Sequence, residues 1–206
     1  ETRPYMHAKI GYADTLWALE RTGEALLEYE DMLRLNPIDN QGVRYVLAVR
    51  YLDVGALEKA RALLDAYPED GTWWCYNNAL YWWMANGDCA EGRKARAAGL
   101  KANPYVLDYF TGKRRMPKSL PEFYAWGSTE EAVLYAHEAR MTWRAKPGAV
   151  EWLQAGLAKA PSRSAAAKKT AAKPSVSKPS PATSSGSNAS GANASGTKSS
   201  GVKPGS

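Results

Sequence analysis

Three stretches of this chain repeat one skeleton: an aromatic-rich helical pattern, a tight turn, then a second helical pattern carrying a small residue. The small residues are Ala25, Ala60 and Gly92, spaced 35 and 32 residues apart. The second patterns of the first and third stretches close on Leu35-Asn36-Pro37 and Ala102-Asn103-Pro104; the middle one stops early, at Tyr67-Pro68. A period near 34 residues marks stacked helix-turn-helix units. One helix pair cannot bury its apolar face alone, so such units pile onto each other. The expected fold is an all-α helical-repeat solenoid, whose product is surface.

Composition divides the 206 residues near position 160. Residues 1–160 hold every aromatic and all 21 acidic residues, whereas the chain from Pro161 onward has no acid, aromatic, Leu or Ile. That last segment carries Arg163, Lys168, Lys169, Lys173, Lys178, Lys198 and Lys203. The 20 remaining Lys and Arg face 21 acids, so residues 1–160 sum to −1 and the formal +6 belongs to the C-terminal segment. Low hydrophobicity with steady charge cannot offset ordering entropy, so residues 161–206 are expected to be a disordered tail. Some 160 residues suffice for one compact domain burying roughly two thirds of its unfolded surface. No apolar run approaches the ~20 residues that span a bilayer. The opening Glu-Thr-Arg-Pro lacks a basic segment followed by an apolar one, so no signal peptide is expected; with no initiator Met, the chain reads as a fragment or processed form. The expected location is cytoplasmic, with no membrane partner.

Helical spacing fills in the organisation. Residues 1–110 read as three helix pairs plus a short following helix; residues 111–160 read as a loop and C-terminal capping helices. In the first pair, Tyr12, Ala13, Leu16 and Trp17 precede a turn at Glu20-Arg21-Thr22-Gly23, and Ala25, Leu26, Tyr29, Met32 and Leu33 return. The second opens at an Asp39 or Asn40 cap, runs through Val43, Leu47 and Tyr51, and turns at Gly55. The third opens at a Thr72 cap and is apolar nearly all round from Trp73 to Met84, which predicts burial on several sides. Gly112, Pro117 and Pro121 break the pattern into a loop, and Ser128-Thr129-Glu130-Glu131 reads as a capping box. Cys75 and Cys89 each open one of two antiparallel helices, about 16 Å apart at 1.5 Å per residue. That exceeds the ~7 Å reach of a disulfide, so free thiols are expected.

Leu19…Glu24-Ala25-Leu26…Tyr29…Met32-Leu33…Leu35-Asn36-Pro37 resembles the second half of a tetratricopeptide repeat. Leu52-Asp53-Val54-Gly55…Ala60…Leu64 and Asn86-Gly87-Asp88…Gly92…Gly99…Asn103-Pro104 are similar to further copies, with Glu20 where a turn glycine is usual and Arg96 where a large apolar residue is usual. The resemblance spans roughly residues 4–104. The runs Asp39-Asn40-Gln41-Gly42-Val43-Arg44, Asn103-Pro104-Tyr105-Val106…Tyr109…Gly112-Lys113…Pro117 and Gly127-Ser128-Thr129-Glu130-Glu131-Ala132 also resemble bacterial tetratricopeptide proteins. Those are related to the C-terminal part of the suppressor-of-tumorigenicity family, number seven. That family offers no reaction to carry over.

What the repeat resemblance implies is a concave groove, lined by the first helix of each unit, that holds a protein or peptide segment. The groove positions would be His7, Ile10, Asp14 and Trp17; Tyr45, Val49, Leu52 and Asp53; and Trp74, Asn77, Tyr81 and Met84. The competing reading is that these rings pack between units. Some members grip a terminal carboxylate with a basic clamp, but the matching places here hold Ile10, Asp14, Val46, Trp74 and Asn78, none cationic. Lys113, Arg114, Arg115 and Lys118, flanked by Tyr109, Phe110, Phe123, Tyr124 and Trp126, give an alternative: a nucleic-acid-associated surface, aided by the Lys168–Lys178 stretch. The bland counterparts are a solvated loop and a solubilising tail. Asn188 and Asn193 head glycosylation-type triplets, but with no secretion signal they read as a small repeat slip. No catalytic residue, metal site or cofactor is expected. His7 and His137 lack ligand spacing, the cysteines lack a nucleophile or redox motif, and no glycine-rich phosphate loop is present.

Overall fold

The computed structural model describes residues 3–69 and 71–157. Among these residues the structure is all-helical, with nine helices and no strand. They are α1 (Arg3–Ala18), α2 (Thr22–Leu35), α3 (Val43–Val54), α4 (Leu57–Ala66), α5 (Thr72–Asn86), α6 (Ala90–Ala102), α7 (Val106–Phe110), α8 (Thr129–Ala145) and α9 (Ala149–Ala155). The tail, with Lys168–Lys178, Asn188 and Asn193, lies outside the described residues.

The first six helices form three consecutive pairs, α1 with α2, α3 with α4 and α5 with α6, and neighbouring pairs join through α2 on α3 and α3 and α4 on α5. Ala25 and Ala60 are fully buried and Gly92 is buried, so each return helix approaches through a small residue. At Gly92 an added Cβ would stand 3.2 Å from the Cβ of Trp82, tighter than an ordinary contact.

The turns explain themselves locally. Gly55 ends α3 in the left-handed conformation (φ +75°), with its N–H on the Leu52 carbonyl and the Ala56 N–H on Tyr51. Glu20 repeats that geometry after α1: φ is +60°, its N–H donates to Trp17 and the Arg21 N–H to Leu16. A residue with a Cβ is strained there by ~1–2 kcal/mol. Glu20→Gly should therefore stabilise the protein by about 0.5–1 kcal/mol, after subtracting the freedom glycine adds to the unfolded chain. A raised urea midpoint at unchanged slope is the expected reading, and a lowered midpoint would refute it.

Two caps differ from expectation. Asp39 serves α3 from outside its first turn: Oδ1 and Oδ2 accept the N–H groups of Val43 and Arg44 at 2.8 and 3.0 Å. Thr72 does not cap α5, because its hydroxyl donates instead to Glu131 Oε2 at 2.7 Å, 59 residues away.

The largest departure concerns the C-terminal helices. A terminal cap was expected, but α8 packs against α3 and α5 as well as α7. Glu131 meets Thr72, Tyr135 meets Asn77, and the Pro147 carbonyl just beyond α8 meets Trp83 Nε1, so α8 runs in the same direction as α5. Arg50 of α3 pairs with Glu138 at 2.7 Å. The inner side of α3 and α5 is thus covered by this chain itself. Helix α9 locks on through Trp152, which stacks on Trp83 with centroids 5.1 Å apart. Arg96 donates to the Trp152 carbonyl at 2.7 Å and lies over its ring, which explains an arginine in an otherwise apolar position.

Candidate functional site

Covering by α8 decides the fate of the expected groove. Val49 and Asn77 are buried, each at 1% exposure, and are not available to a partner, whereas Trp74, 3% exposed, turns away from α8 toward α4. Asn77 Oδ1 accepts the Tyr135 hydroxyl at 2.9 Å, and Trp74 Nε1 donates to the Leu64 carbonyl at 3.2 Å. Tyr45 is half-buried, edge-on to Trp74 at 5.6 Å, and its hydroxyl donates to Glu69 at 2.8 Å. Tyr81 faces α4, with the Arg61 guanidinium 5.1 Å from its ring centroid. The Asp53 carbonyl accepts Lys146 Nζ at 2.9 Å, and Met84 packs on the core edge. On α1, His7 and Asp14 stay exposed, Asp14 accepting the Tyr29 hydroxyl. Trp17 is half-buried beneath the Arg50 guanidinium, 4.6 Å from its centroid. The expected groove residues are therefore not gathered on one open surface.

The basic loop is partly neutralised. Asp108 pairs with both Lys113 and Arg114 at 3.2 Å, and Arg114 also lies over Tyr105. Arg115 and Lys118 are exposed. Of the flanking rings, Tyr109 and Phe110 are core, which leaves Phe123, Tyr124 and Trp126 facing solvent.

What lies open instead is a cleft of about 730 Å³ on the side of α5 between α4 and α6. Trp74, Cys75, Asn78 and Trp82 form its floor; Arg61 and Asp65 of α4 and Glu91, Lys94, Ala95 and Ala98 of α6 form its walls. Two local features make it. Helix α4 has 10 residues against 14 in α2 and 13 in α6, because Pro68 follows and Tyr67 folds back to donate to the Pro37 carbonyl at 2.9 Å. The α6 wall is cut low by alanines. Arg61 is held in place by Asn78 and Asp65, both at 2.9 Å. The floor offers aromatic surface and an amide, and the walls offer both signs of charge. Sequence reasoning missed this cleft, although the early Tyr67-Pro68 stop was its signal.

No disulfide joins Cys75 and Cys89; the Cys89 sulfur caps α6 by accepting the Gly92 N–H at 3.2 Å. Among the described residues no group of three or more His, Cys, Asp or Glu converges as a metal site, and no helix is long and apolar enough to cross a membrane. Comparison with models of protein families, with curated proteins and with solved structures yields no match.

Proposed function

We propose that this chain is a tetratricopeptide-type helical-repeat protein that binds a protein segment without catalysing a reaction, and that the segment enters the outer cleft between α4 and α6. The repeat reading is supported by three successive helix pairs with Ala25, Ala60 and Gly92 buried at matching places. The observation that carries the location is the contrast between the two sides of α5: one is filled by α8, the other holds a cleft of about 730 Å³. That volume lies within the ~300–1,000 Å³ of ordinary binding sites, which combine aromatic floors with a few placed polar groups. Trp82 is the natural anchor, since buried rings carry most binding energy at such surfaces.

Peptides selected from a displayed library on the full chain supply the test. Ala98 is exposed on the wall, so Ala98→Arg fills the cleft without disturbing the core. This variant should weaken the selected peptides by about tenfold or more, as blocking an anchor site does. Lys94→Glu should reorder their charge preference. Unchanged binding in both variants, with loss in His7→Ala and Asp14→Lys, would move the site to the open face of α1 and overturn the location proposed.

A further inference from the structure

A second, smaller cavity of about 80 Å³ lies beside the start of α8, lined by Tyr45, Trp73, Tyr124, Trp126, Leu134 and Glu131, with Gly71 at its edge. Glu131 is fully buried. Its Oε2 is crowded, accepting the Gly127 N–H at 2.6 Å, the Thr72 hydroxyl at 2.7 Å and Asn103 Nδ2 at 3.4 Å. Its Oε1 is buried and meets no donor of the described chain. No ion pair among the described residues includes it. A capping-box glutamate needs only the backbone contact, so the second oxygen is unexplained by the cap. A buried carboxylate with an open acceptor is costly unless a donor or a cation answers it.

The surroundings favour a cation. Four aromatic side chains line the cavity. Arg44 already lies over Tyr45, 4.6 Å from its centroid, which leaves Trp73, Tyr124 and Trp126. Ring faces attract ammonium groups within ~6 Å of their centroids. A second carboxylate, Glu69, lies close by on the Tyr45 hydroxyl. Burial, followed by the charges of Glu131 and Glu69, pushes the Tyr124 hydroxyl up, so both carboxylates act on this pocket. Arg44 answers Glu69 and Asp39.

We propose that this cavity binds an alkylammonium head that keeps at least one N–H, with its alkyl groups on the rings and its N–H on Glu131 Oε1. The ranking of ligands follows from the single open acceptor. A quaternary ammonium has charge but no donor for Oε1. A guanidinium brings five N–H groups in a flat fork and would leave most unanswered. Anions are repelled, and a neutral alcohol donates but carries no charge to the rings. The volume equals two to three waters at ~30 Å³ each, room for a dimethylammonium-sized head. The site is independent of the outer cleft and stands or falls separately from it.

Titration of the full chain with dimethylammonium chloride, followed by the indole N–H resonances of Trp73 and Trp126, tests the proposal. Saturable shifts are expected. Tetramethylammonium should bind about tenfold more weakly for want of the charge-assisted hydrogen bond, and tert-butanol should give no saturation. Trp126 is 64% exposed, so Trp126→Ala should abolish binding and keep the fold. Gly71→Ala should do the same, because its Cβ would stand 2.5 Å from the Trp126 ring and push it aside. Glu131→Gln should also lose binding; if it does not fold, the other two variants decide. Equal binding of tetramethylammonium or tert-butanol, no saturation by any amine, or binding that survives Trp126→Ala and Gly71→Ala would overturn the site. A tripeptide centred on dimethyl-lysine separates the sources: tighter binding than the free amine points to a protein side chain, weaker binding to a small amine, and either upholds the ammonium site.

Discussion

Between about pH 10 and pH 12 the protein is expected to lose its helices in one cooperative step, ahead of ordinary tyrosine ionisation in the folded state. Burial raises the hydroxyls of Tyr29, Tyr45, Tyr51, Tyr76 and Tyr135, with Tyr45 pushed up to about 12. Carboxylates that accept from three of them add to the effect: Asp14 from Tyr29, Glu69 from Tyr45 and Glu30 from Tyr51. In the unfolded chain these groups ionise near pH 10. Above that pH the unfolded state has released protons that the native state still holds, so stability falls as pH rises. It is fully present below pH 10 and is lost up to the folded values. Each such group takes about 1.4 kcal/mol per pH unit, so five together remove about 7 kcal/mol per unit. Typical domains hold 5–15 kcal/mol, so the fold should fail within one to two units. Exposed tyrosines such as Tyr5 and Tyr12 contribute absorbance without unfolding, so the loss of helical ellipticity should coincide with the share due to the five buried hydroxyls. Tyrosinate absorbance reaching the full value for all twelve tyrosines while ellipticity holds would show these hydroxyls to be accessible, and would sink the prediction.

Trp143→Ala is expected to cost about 3–5 kcal/mol, as removal of a fully buried large ring does. Trp143 has no exposed surface, its Nε1 donates to the Tyr135 hydroxyl at 3.0 Å, and its ring sits 5.6 Å from Phe110 and 6.3 Å from Tyr76. It therefore ties α8 to both α7 and α5. For a folded unit near 150 residues the melting temperature should fall by about 10 °C. Trp126→Ala, on the exposed loop, should stay within about 0.5 kcal/mol. Urea denaturation of both variants measures the contrast. A cost below about 1 kcal/mol at Trp143 would mean that α8 does not pack on the inner side of α5.

Local elements were legible because local chemistry writes them. Gly55, Pro37, Pro104 and the Ser128 cap gave helix ends, and the spacing of Ala25, Ala60 and Gly92 gave the pairing of the first six helices. The placement of α8 was not legible. Its apolar face announces burial but not against what, and its partners lie far away: Arg50 and Glu138 are 88 residues apart, Asn77 and Tyr135 are 58. Hence Val49 and Asn77 read as lining an open groove, when both are buried and Asn77 lies beneath α8. Thr72 and Glu131 misled in the same way. Each reads from its sequence neighbours as a cap, and only the fold brings the two together. The outer cleft was half legible, since Tyr67-Pro68 announced the short α4 but not the space it leaves.

Because α8 is gripped at both ends, the number of helix pairs in this array is locked. Thr72 holds its start, while Asp53 and Trp83 hold the residues just past its end. Open arrays gain or lose a unit by duplication, since each unit answers only to its neighbours. Here one extra pair between α4 and α5 would shift Thr72 and Trp83 away from Asp53 by the ~8–10 Å that separates packed helices. A rigid rod of 17 residues, some 26 Å long at 1.5 Å per residue, could not keep both grips. Lengthening this protein by inserting a further helix pair between those helices would open the clasp.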